Sequence, residues 1–165
     1  PKRYVARARF GVATDTEDAS GRVVAEADAS GLTEASLRAL LPRFVGEIDQ
    51  VPPMVSALHH DGQRLYDLAR RGVVVERPAR RVSIHALTLS DFAPGERAAA
   101  TLEVVCGGGT YIRTLCADLG AAAGLPAHME RLDRTAVGDF DRTSAVALDA
   151  VSAEQRRERE REVRQ

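Results

Sequence analysis

CGGGTYIRTLCADLG, residues 106–120, is the stretch from which the fold is read. An apolar run ends at Cys106, three glycines follow, and Ile112, Leu115 and Leu119 then recur at helical spacing. This is a strand, a tight turn and a helix that Gly124 stops. Upstream, AAATLEVVC from Ala98 and RRVSIHALTLSDF from Arg80 flank Pro94–Gly95, and their alternation predicts an antiparallel pair. Downstream, HMERLDRTAVGDF from His128 reads as extended. Strands and helices alternate without a βαβ rhythm. The fold class is therefore α+β, a mixed, mostly antiparallel sheet with flanking helices.

The N-terminal third fits that class. In RYVARARF, residues 3–10, Tyr4, Ala6, Ala8 and Phe10 fall on one face and Arg3, Arg7 and Arg9 on the other, which predicts a half-buried strand. GVATDTEDASG, residues 11–21, reads as an acidic, solvated loop, with RVVAEA from Arg22 as the strand returning along residues 3–10. Thr33 is a helix N-cap candidate, and Pro42 ends the regular helix. EIDQVPP from Glu47 leads out through a rigid proline pair, MVSAL is extended, and RLYDLARRG is a short helix stopped by Gly72. The tail from Ser152 is a charged helix. The expected organisation is one domain over 1–151, with residues 152–165 as the tail.

The chain has 165 residues, 44% hydrophobic and 28% charged, enough for a core without staples. Two cysteines, Cys106 and Cys116, form no CxxC pair, and no apolar run approaches the ~20 residues of a membrane span. The residues from Pro1 have no signal or transit pattern, so a cytoplasmic location is expected. A net charge of −1 advertises no global basic field. Lys2 is the one lysine among 23 basic residues; the 22 arginines reflect either genomic bias or a use for guanidinium forks.

Few residues suggest chemistry by themselves. The glycine turn allows close backbone approach, and the helix N-terminus behind it faces an anion readily; a plain strand-to-helix turn explains it equally well. It is neither a P-loop nor GxGxxG. His59, His60, His85 and His128 lack zinc spacing, so no metal is expected. Tyr4 is either a core tyrosine or, with Tyr111, an aromatic platform for a nucleobase.

Taken in order, KRYVARARFGVATDTEDASG, VPPMVSALHHDGQRLYDLARRG, CGGGTYIRTLCADLG and HMERLDRTAVGDF resemble the tRNA pseudouridine synthase B family over roughly residues 1–150. The resemblance implies a pseudouridine synthase-like catalytic domain, present in part. It implies isomerisation of a T-loop uridine in tRNA, with the target base flipped into a pocket and with no metal or organic cofactor. Tyr4 matches the tyrosine of Lys-x-Tyr that stacks on the base and helps move the C5 proton. Tyr111 matches a tyrosine lining the base pocket, and Arg113 an arginine paired with the catalytic aspartate, whose charge would hold that carboxylate ionised. Leu132 matches a leucine whose backbone reads the uracil edge. His59, Arg64 and Arg134 are candidate RNA contacts.

The chain also departs from the family. The catalytic aspartate belongs to a Gly-x-Leu-Asp-Pro-like motif upstream of Lys-x-Tyr and is absent from these residues; Asp15, Asp18 and Asp118 lack its surroundings. The C-terminal RNA-binding domain common in the family is also expected to be missing. His59, Gly108 and Asp133 stand where basic residues are frequent, which weakens expected phosphate contacts. The expectation is an enzyme chain inactive by itself, with tRNA as its partner and the missing N-terminal segment, as a separate chain, as a second candidate partner. The alternative is a noncatalytic RNA-binding module or one chain of a split enzyme.

Overall fold

The computed structural model describes residues 1–53, 59–60, 63–64 and 76–146. Among these, ten strands and two α-helices form: β1 (Lys2–Phe10), β2 (Val12–Thr14), β3 (Val23–Glu26), α1 (Glu34–Leu40), β4 (Gly46–Gln50), β5 (His59–His60), β6 (Gln63–Arg64), β7 (Arg80–Ala93), β8 (Ala99–Cys106), α2 (Ile112–Ala122), β9 (Ala127–Val137) and β10 (Phe140–Asp141). Six strands make the main sheet in the order β10-β9-β1-β8-β7-β4. Every ladder in it is antiparallel.

β1 lies at the centre because its alternation suits burial of one face. Tyr4, Ala6, Ala8 and Phe10 enter the core beside Leu102, Val104 and Cys106 of β8 and Ile84 and Leu89 of β7. On the opposite face Glu130 of β9 accepts from Arg7 Nε at 3.0 Å and from Arg9 Nη2. Burial disfavours the Glu130 charge, but the two arginines outweigh it and hold the carboxyl below its ordinary value.

α2 packs on the core face, with its C-terminal part against Ala127, the register partner of Phe10. Ile112, Leu115, Cys116 and Leu119 are buried along one stripe. The helix ends in a Schellman arrangement: Leu125 N–H donates to Gly120 C=O, Gly124 N–H donates to Ala121 C=O, and Gly124 takes φ +72°. Gly120 lets helix and strand touch, since a Cβ there would lie 2.3 Å from Ala127 Cβ. α1 is capped by Thr33, whose Oγ1 accepts from Ser36 N–H at 3.1 Å, and a 3₁₀ turn over Leu41–Phe44 continues it past Pro42.

Two local expectations are corrected. The return strand β3 pairs with β2, not with β1, because Gly11, at φ +91°, turns the chain out of the sheet and leaves β1 to β8 and β9. Residues 46–50, expected only as a lead-out, form edge strand β4 along β7; cross-strand pairing overrides a weak local signal. The MVSAL segment, most of RLYDLARRG and the tail from Ser152 lie outside the described residues.

Candidate functional site

The turn between β8 and α2 is organised from outside itself. Gly109 adopts φ +81°, and Thr110 Oγ1 donates to Gly107 C=O at 3.2 Å. Tyr111, the N-cap residue, makes no side-chain cap. Gln50, 1% exposed at the end of β4, instead holds the Tyr111 backbone: its Oε1 accepts from Tyr111 N–H at 3.0 Å and its Nε2 donates to Tyr111 C=O at 3.2 Å. An amide buried this deeply must be satisfied, and here it locks Tyr111 in place. Nothing in the local sequence singled out Gln50. Gly108 faces open space.

The acidic loop is not solvated as expected. It folds back over the first turn of α2, and Arg113 Nη1 donates to Asp18 Oδ2 at 3.0 Å and to Thr16 C=O at 3.2 Å. The next helix residue, Thr114, donates from Oγ1 to Glu17 Oε2 at 2.8 Å. Asp18 Oδ1 also accepts from Thr16 Oγ1, Ser20 N–H and Ser20 Oγ. Partial burial works against its charge, but the bonds from Ser20 and Thr16 and the Arg113 guanidinium prevail, and its carboxyl sits below the usual range. Glu17 behaves oppositely. Burial raises it, the Thr114 bond opposes this, Asp118 adds to the rise, and Arg113 and Arg77 offset part of it. Burial alone raises Asp118. Arg113, expected to serve a carboxylate outside these residues, thus has an aspartate of its own chain as a partner, one to which the sequence reading gave no role.

A second group lies on the sheet. Tyr4 is opposite Arg134, and Ala6 opposite Leu132, in the β1–β9 register. Register partners share a face, so Leu132 and Arg134 continue the core face outward from β1. There the face is uncovered: Tyr4 is 6% exposed, whereas Leu132 is 40% exposed and Arg134 is exposed. The Arg134 guanidinium stands 5.5 Å from the centre of the Tyr4 ring, a cation–π contact. Tyr4 is therefore a core residue with the Arg134 guanidinium against its ring. Asp133 pairs with Arg142, so its charge is matched locally. His59 and Arg64 are register partners in the β5–β6 hairpin.

The remaining candidates are structural. His128 is buried, with Nδ1 2.8 Å from Val12 C=O. Both cysteines are free and buried. Among the described residues no cluster of three His, Cys, Asp or Glu side chains could hold a metal ion. No helix among them is long and apolar enough to cross a membrane.

An antiparallel sheet with one helix-covered face and a register-paired Tyr–Arg shelf defines an α+β fold with known relatives. A structure of a Cbf5-Nop10-Gar1 complex superposes with a TM-score of 0.58 at 24% identity, covering 91% of this chain and 34% of the other. A structure of an H/ACA RNP bound to a substrate RNA containing 2′-deoxyuridine gives 0.58 at 21%, covering 91% and 32%. At these identities the likeness speaks for the fold alone. The sequence narrows it further. Residues 1–112 match the N-terminal domain of the TruB family pseudouridylate synthases, and residues 113–165 match the tRNA pseudouridylate synthase B C-terminal domain. The chain belongs to the TruB pseudouridylate synthase family. It is 54% identical over 152 residues to tRNA pseudouridine synthase B of Symbiobacterium thermophilum and 51% identical over 152 residues to that of an Azoarcus species. It spans about half the length of these relatives, 51% and 49%. The boundary between the two matched domains falls within α2, the helix that carries Arg113.

Proposed function

We propose that this chain forms part of the base pocket of an enzyme that converts a T-loop uridine of tRNA to pseudouridine. The observation that carries the reading is the Tyr4–Arg134 contact, with exposed Leu132 on the same face of the sheet, in a chain of this family. In the reaction the N1–C1′ glycosidic bond breaks and the uracil turns. A C5–C1′ bond then forms, with a proton lost from C5 and one gained at N1. The pocket must hold a flipped uracil by its face and its edge. The Tyr4 ring supplies the face. Its present cover, the Arg134 guanidinium, is displaced by the base: stacking contributes ~1–3 kcal/mol per base, against ~0.5–2 kcal/mol for a cation–π contact. Arg134, exposed and released, is then free to meet a phosphate. The Leu132 backbone lies beside the pocket to read the uracil edge.

Arg113 and Tyr111 stand at the start of α2, where the resemblance implies the catalytic carboxylate and the pocket wall. On this reading that carboxylate comes from outside these 165 residues. By itself the chain is expected to bind a T-arm hairpin and to release no tritium from C5-labelled RNA. Tyr4→Leu, which keeps core bulk and removes the ring, is expected to weaken hairpin binding roughly tenfold, about one stacked base. Unchanged binding would move the pocket elsewhere, and turnover by the isolated chain would show that another acid acts. Binding without turnover after the upstream segment is supplied would instead favour a noncatalytic RNA-binding module.

A further inference from the structure

Glu17 stands out among the described residues because it is the one non-glycine residue with left-handed backbone, φ +62°. Glycine or asparagine takes that conformation with less strain. Its carboxyl is also largely buried against α2, where a charge is disfavoured unless it is well partnered. Stability alone would choose neither feature. What the left-handed turn achieves is geometric. It allows two consecutive residues to face the same helical turn: Glu17 Oε2 reaches Thr114 Oγ1 at 2.8 Å, and Asp18 Oδ2 reaches Arg113 Nη1 at 3.0 Å. In an extended segment the two side chains would point to opposite sides.

We propose that Glu17 is a positioning residue, which through Thr114 fixes the Arg113–Asp18 pair at the start of α2; its functional meaning rests on the reading of the pocket given above. The backbone supports the assignment. Glu17 C=O accepts from Met129 N–H at 2.9 Å, and Ala19 N–H donates to Met129 C=O at 3.0 Å, so the loop is tied to β9 on both sides of Asp18. Thr114 is 3% exposed, which leaves its hydroxyl little freedom to choose another partner. Asp118 and Arg77 are the other charged groups whose fields act on Glu17 besides Arg113. The tether therefore holds residues 16–18 at one distance from α2, and Arg113 receives both Thr16 C=O and the Asp18 carboxylate from a loop that cannot drift.

The test follows the side chains directly by NMR in the full chain, recording Arg113 guanidinium exchange with solvent and the Asp18 carboxyl titration. Wild type, Thr114→Ser and Glu17→Gln keep an acceptor–donor pair and are expected to keep a protected guanidinium and an Asp18 midpoint below its ordinary value. Thr114→Val and Glu17→Gly are expected to exchange Arg113 protons roughly tenfold faster, the scale of one net hydrogen bond, with Asp18 moving up toward its ordinary value. Unchanged signatures in both Thr114→Val and Glu17→Gly overturn the proposal, as does their loss in both conservative variants. Should Thr114→Val not fold, Glu17→Gly, which relieves the backbone, carries the comparison with the same two outcomes. T-arm hairpin binding is measured separately. Failure to bind RNA with the NMR result as expected removes the functional reading and leaves the positioning role standing.

Discussion

Replacing Arg113 by alanine is expected to cost the isolated chain about 1–2 kcal/mol of folding stability at neutral pH. The figure comes from the burial of the pair: the side chains of Arg113 and Asp18 are 21% and 22% exposed. Fully exposed pairs contribute ~0.2–1 kcal/mol, and breaking a fully buried one costs ~3–5 kcal/mol. Asp18 would retain its bonds from Thr16 and Ser20, so the stranded carboxylate is only partly uncompensated and the cost falls toward the lower range. The pH dependence has a definite sign. Asp18 is held below its ordinary value, so its contribution is complete above the unfolded value of about 3.9 and is lost as pH falls through the depressed folded value. The difference between wild type and Arg113→Ala should therefore be largest at neutral pH and shrink in acid. Urea unfolding of wild type, Arg113→Ala, Asp18→Asn and the double variant measures it, with a coupling of roughly 0.5–1.5 kcal/mol expected for residues in direct contact. A loss under about 0.5 kcal/mol, the range of an ordinary surface change, or a coupling of zero, would refute the pairing.

Two further outcomes follow from packing. Burial, with a smaller push from Glu17, raises the Cys116 thiol to about 12, and burial raises Cys106 against opposing help from Thr110 and nearby positive charge; the native chain should react negligibly with Ellman's reagent and titrate two thiols once denatured. Gly120→Ala should destabilise by about 1–3 kcal/mol in urea unfolding despite alanine's better helix propensity, because the new Cβ would fall 2.3 Å from Ala127 Cβ; a rise in stability would show that α2 and β9 are not in tight contact.

Several features were legible along the chain because their causes lie within a few residues. The alternation of residues 3–10 marked a half-buried strand, and Tyr4, Ala6, Ala8 and Phe10 are indeed its buried face. The Thr33 cap, the Pro94–Gly95 turn and the helix from the glycine turn to Gly124 carried equally local signals. Two of the motifs that resemble the family, at the start of the chain and at the glycine turn, overlap these segments.

What the tertiary structure alone decided concerns partners far apart in sequence. Arg113 meets Asp18 across 95 residues, and Gln50 holds Tyr111 across 61. Neither pairing leaves a periodicity, so TDTEDASG read as a solvated loop and Gln50 went unnoticed. The register of β1 with β9 put Arg134 over the Tyr4 ring, a contact that spacing along the chain does not record. Side-chain spacing reports which face of an element is apolar, because neighbours on one face recur at a fixed period. It carries no record of which distant polar group will satisfy a buried one, since that is settled only when the sheet and helix pack and each buried donor must find an acceptor.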